Sequence, residues 1–101
     1  MLKTIRAKVR ILSAKEGGKR EWPVSRGYRP IFRFDERDVL IDGGFDGLVD
    51  RSSLMPGEEC EALIRFHAWE YVQEFVVVGT RFEFTEAYVP IGCGEVLGFV
   101  D

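Results

Sequence analysis

The chain has 101 residues and a mass of 11.6 kDa, which allows one domain, 1–101, built around one core. At 46% hydrophobic and 31% charged residues it has ordinary globular composition, well clear of the low-hydrophobicity, high-charge chains that stay disordered. The net charge of −3 is unevenly spread: residues 1–37 carry 11 Lys/Arg against 4 Asp/Glu (+7), and residues 38–101 carry 3 against 13 (−10). A basic half can mark a nucleic-acid face. The simpler reading is that basic and acidic strands lie side by side and neutralise each other across a sheet.

Residues 4–12 put Ile5, Ala7, Val9 and Ile11 on one side and Arg6, Lys8 and Arg10 on the other, the period of two of a half-buried strand. From Ser13 to Gly27 the chain reads as loop, with Gly17-Gly18, Pro23 and several charges. Extended structure resumes over residues 28–35. Pro30 lacks an amide hydrogen, so it must start that strand or lie at an edge. A short third strand is predicted over 38–42, ended by Asp42-Gly43-Gly44. Pro56-Gly57 has the composition of a type II turn. Strands are expected next over 58–67, 80–86 and 91–100, the last weakened by Gly92 and Gly94, which suggest a bulge or tight bend. In residues 68–75, Trp69, Val72 and Phe75 recur at a spacing that favours a short helical turn. Six short strands without a long helix predict an all-β, six-stranded antiparallel Greek-key barrel. Ile5, Val9, Ile11, Phe32, Ile64, Phe66, Phe82, Phe84 and Val96 should point inward.

The longest apolar run, residues 75–79, falls far short of the roughly 18 residues of a membrane-spanning helix, and the charged start has no signal core, so a cytoplasmic protein is expected. Cys60 and Cys93 lack CxxC spacing, and one histidine cannot complete a zinc site with them, so both read as reduced, buried thiols and no metal is expected. Cys60 and His67 fall on opposite strand phases, which argues against a nucleophilic dyad; Glu58-Glu59 and Asp35-Glu36 read as solvated turn charges. No catalytic residue and no cofactor are expected.

Gly17-Gly18-Lys19-Arg20, Gly27-Tyr28-Arg29-Pro30, Phe32-Arg33-Phe34, Met55-Pro56-Gly57, Gly79-Thr80-Arg81-Phe82 and Ile91-Gly92-Cys93-Gly94-Glu95-Val96 occur here in one order. In that order they resemble the third domain of elongation factor Tu and related translational GTPases. The resemblance covers nearly the whole chain and implies the same six-stranded barrel. GxxxxGK[ST] is absent, so neither binding nor hydrolysis of GTP is expected. In the family this domain touches the T-stem of aminoacyl-tRNA through an Arg-His pair, where this chain has Lys19-Arg20. The resemblance therefore implies Lys19, Arg20 and Arg29 as RNA-binding residues. Independently of it, Arg6, Lys8 and Arg10 share one strand face, with Lys19, Arg20, Arg26 and Arg29 in the next loop. Such a stripe either tracks phosphates, with Trp22 and Tyr28 stacking on bases, or pairs with Glu61, Glu83 or Glu95 on neighbouring strands. Ile31 and Glu36-Arg37 depart from the family's polar residues, and a carboxylate beside a phosphate repels it.

The segment between Phe66 and Gly79 is longer than the family's and carries Trp69, Tyr71 and Phe75. These three either form an apolar patch for a protein partner or cap the barrel's end. The leading expectation is a non-catalytic, stand-alone binding module for a protein partner. The alternatives are a tRNA-binding module, and a decoy or immunity protein that mimics elongation factor Tu.

Overall fold

The computed structural model describes residues 1–100. Its strands are β1 (Lys3–Ile11), β2 (Val24–Ser25), β3 (Ile31–Phe34), β4 (Leu40–Leu48), β5 (Ser53–Leu54), β6 (Glu59–Phe66), β7 (Arg81–Glu86) and β8 (Val89–Phe99), with single 3₁₀ turns at Ala14–Glu16 and Trp69–Tyr71. Six of them close an antiparallel barrel in the order β1-β6-β4-β3-β7-β8, and β8 pairs back onto β1. β3, β4 and β6 follow one another as neighbours, and β7 then returns to the far side of β3, a Greek-key connection. Closure leaves the barrel no free strand edge.

The period-two phases hold along β1, β3, β6 and β7 and slip at the register shifts of β4 and β8. Ile5, Val9, Ile11, Phe32, Ile64, Phe66, Phe82, Phe84 and Val96 are all buried. Phe32 is central, its ring 4.9 Å from Phe66, 5.4 Å from Phe84 and 5.6 Å from Phe82. Pro30 lies just before β3, so its missing donor leaves the ladders to β4 and β7 intact.

One boundary is corrected. The strand expected over 38–42 is β4, which runs through Gly43 and Gly44 to Leu48 with a bulge between Phe45 and Gly47. A side chain at Gly43 would sit 2.5 Å from the Phe66 ring and 3.0 Å from Phe32. The glycine leaves room for rings of other strands and ends nothing. Gly94 has the same role, since a β-carbon there would lie 2.5 Å from both the Lys8 carbonyl oxygen and the Phe82 ring. The expected bulge in the last strand appears between Phe84 and Thr85, opposite residues 90–92.

Both ends of the barrel are plugged. At one end the small β2–β5 ribbon inserts Val24 and Leu54; at the other, the segment from His67 to Thr80 crosses as a lid and inserts Trp69, Val72 and Val76.

Candidate functional site

The residues expected to bind RNA cluster around the loop after β1. Glu16 closes the 3₁₀ turn by accepting from the Ser13 amide at 3.0 Å, while the Arg10 guanidinium donates to both its oxygens at 3.0 and 2.9 Å. These bonds, led by the one from Arg10, hold the Glu16 carboxyl down at about 2 against an ordinary 4.5. A carboxyl depressed by folding adds stability above its ordinary value, and that contribution is lost as pH falls through about 2. Acid titration of Glu16→Gln followed by circular dichroism should therefore show less stability lost between pH 4.5 and 2 than in the native chain. Equal losses would remove Glu16 from the acid response.

Arg20 is not a free cation. Its Nε donates to the Trp22 carbonyl at 2.8 Å, one terminal nitrogen to Glu86 at 2.6 Å and the other to the Pro23 carbonyl at 3.1 Å. Its plane lies 4.6 Å from the Tyr28 ring centroid, and the Tyr28 hydroxyl donates to the same Glu86 oxygen at 2.6 Å. Burial, reinforced by that bond, pushes the Tyr28 phenol upward. With every nitrogen engaged and one face covered, Arg20 pins the loop to β7 and is corrected from a phosphate ligand to a structural clamp. Tyr28, under Arg20, cannot serve as a stacking platform either. Arg29 donates to Asp42 at 2.7 Å. Lys19 makes no hydrogen bond or ion pair among the described residues and stands beside the 73% exposed Trp22. The two line an open hollow of about 390 Å³ with Arg20, Glu86, Val89 and Ile91.

The β1 stripe faces acids on both sides. Lys8 lies opposite Glu61 of β6 and Glu95 of β8, and Arg81 lies beyond Glu95 on β7. Arg6 reaches Glu61 at 3.4 Å and Lys8 reaches Glu59 at 3.7 Å. The basic and acidic halves of the chain neutralise each other across the ladders, each exposed pair being worth at most about 1 kcal/mol.

The expected protein-interaction residues divide between inside and outside. Trp69 is 3% exposed, its ring centroid 5.4 Å from Phe66 and 5.8 Å from Phe34, so of the two roles expected for it, patch or cap, it takes the cap and plugs the barrel. Phe75 is half-buried with the Arg37 guanidinium 4.2 Å from its ring centroid. Tyr71 points out, 66% exposed, as do Val77 and Val78 further along the lid. The inward set is Trp69, Val72 and Val76, the i, i+3, i+7 positions of a helical face. That spacing was available in the sequence and distinguishes the plug residues from Phe75.

His67 is exposed just past one end of β6 while Cys60 lies near the other, about 20 Å away at strand rise. Cys93 lies opposite Arg10, also far from His67. Both thiols are free and half-buried, more exposed than expected, because their strand positions face the barrel's rim and outer wall. Burial pushes each pKa up, away from thiolate reactivity. No group of three or more His, Cys, Asp or Glu among the described residues could hold a metal ion, and no helix of the described residues is long and apolar enough to cross a membrane.

The class defined by this architecture is an all-β closed six-stranded antiparallel barrel with two plugged ends and a pinned basic loop. No family model matches the chain.

Proposed function

We propose that this chain is a non-catalytic binding module, a barrel related to the third domain of elongation factor Tu, that recognises a protein partner. The observation that carries this reading is the lid. Its inner residues already fill the barrel's end, yet it also presents Tyr71, Val77 and Val78 to solvent, an arrangement that capping alone does not require. The polar chemistry elsewhere is largely spent internally, on cross-strand pairs and the Arg20 clamp. An RNA role has narrower support, namely the unpaired Lys19 beside the exposed Trp22.

One pair of assays separates the two readings. A cross-linked protein retained by the native chain should be lost from a Tyr71→Ser/Val78→Ser variant. Binding to tRNA at physiological salt should be no tighter than the non-specific range of about 10⁻⁴ to 10⁻⁶ M. Affinity in the tens of nanomolar, lost in Lys19→Gln, would reverse the preference; Arg20 is left intact because removing it would loosen the loop.

A further inference from the structure

The outer wall of the barrel has two characters. Across β6, β1, β8 and β7 its outward positions set opposite charges side by side: Glu61, Lys8, Glu95 and Arg81 alternate along one row, and the next runs Glu59, Arg10, the neutral Cys93, Glu83 and on to Arg33 of β3. On β3 and β4 the alternation breaks, where Ile31 and Leu40 point outward at 37% and 53% exposure. Ile31 pairs with Asp42, two residues from Leu40, so the two apolar side chains are diagonal neighbours on one face. With Thr85 and Tyr88 they line a groove of about 320 Å³, bordered by Arg33, Glu83 and Asp38.

The upper rim of this groove is strained. Glu86 pairs with Val89, so Ala87 and Tyr88 form a two-residue hairpin turn, and both take positive φ, 48° and 67°. Such turns favour Asn-Gly, because a β-carbon in this region is crowded and a bulky side chain more so. The chain nonetheless holds a tyrosine there, 90% exposed. Neither packing nor turn chemistry asks for that ring, and strain kept at an exposed aromatic beside a groove is a mark of a binding position.

Charge selects the occupant. Arg33 is paired with Glu83, and Arg29 with Asp42. The groove's remaining charge is Asp38, with Glu36 in the adjoining turn, and neither has a partner among the described residues. An apolar slot with a free acidic end fits an apolar side chain followed closely by Lys or Arg. It repels phosphate.

We propose that the groove of Ile31, Leu40, Thr85 and Tyr88 docks a protein segment that presents an apolar anchor residue next to a cationic one. This surface is separate from Tyr71, Val77 and Val78 of the lid, and it stands or falls independently of them.

The test is selection from a random dodecapeptide display library against the native chain, with recovered peptides titrated by fluorescence anisotropy. They should share an aromatic or aliphatic residue within three positions of Lys or Arg. Affinity should fall at least tenfold in Leu40→Ser and in Ala87→Asn/Tyr88→Gly, and Asp38→Asn should weaken binding and reduce its salt dependence. Tyr71→Ser should leave it unchanged. The Ala87→Asn/Tyr88→Gly variant relieves the turn, so its Tm should rise, by about 4 °C or more, while it loses the peptide. Loss of binding there cannot be unfolding. The proposal is overturned if no peptide is recovered, if the peptides lack the cation, or if they bind the variants as well as the native chain. Occupancy of the face by a single-stranded RNA or by a second copy, abolished by Leu40→Ser, would also overturn it.

Discussion

Replacing Phe32 by alanine should cost about 3–5 kcal/mol of folding free energy, the range for large aromatic truncations in a core. Phe32 is fully buried on the short strand β3, and its ring lies against rings from β4, β6 and β7, with Phe45 at 6.2 Å and Phe84 at 5.4 Å. It thus joins the two halves of the barrel wall. These neighbours are themselves large and locked, so the cavity can collapse only in part, which places the loss toward the upper end. A small domain holds about 5–15 kcal/mol in total, so the variant should be close to unfolding. Urea titration should show a midpoint well below that of the native chain with an unchanged slope. A loss under about 1 kcal/mol would mean that the ring cluster does not organise the core.

Trp69→Ala should remove a comparable amount of packing, about 3–5 kcal/mol by the same scale, with a different distribution. Trp69 packs on Phe34 and Phe66 from above and meets Phe99 at 6.1 Å, but it belongs to the lid and not to a barrel strand. The lid is attached by Val72 and Val76 and by backbone hydrogen bonds to the barrel such as that from the Gly79 amide to the Val96 carbonyl of β8 at 2.8 Å. A lid of this kind can open without the barrel unfolding. Hydrogen exchange should therefore speed up over residues 69–79 by much more than over β1 and β6. Uniform loss of protection would show that lid and barrel are one cooperative unit. The outcome bears on function, because Tyr71, Val77 and Val78 are presented only while the inner residues hold the lid down.

Much of the barrel is legible in the sequence. Alternation along β1, β6 and β7 is local, since successive side chains of a strand point to opposite faces. The apolar positions therefore named the inward set, and the charged positions named the outward one. The opposition of a basic first half to an acidic second half also foretold cross-strand neutralisation, which the registers of Lys8 with Glu61 and Glu95 display.

What only the tertiary structure decided depends on residues distant in the chain. Gly43 and Gly44 read as a strand end because a missing side chain says nothing of what fills its place; the ring over Gly43 comes from Phe66, on another strand. For Arg20, an RNA-binding candidate through the resemblance, the sequence names no partner, because Glu86 lies 66 residues away and reaches it only when the barrel closes. For Trp69 the sequence leaves patch and cap both open, and only the open end that the assembled strands offer it decides for the cap. Ile31, Leu40 and Tyr88, which nothing in the sequence links to one another, become a groove because β3, β4 and the β7–β8 turn converge on one face. Sequence periodicity carries the direction of a side chain, but burial, pairing and shared surfaces are properties of what the other strands bring alongside it.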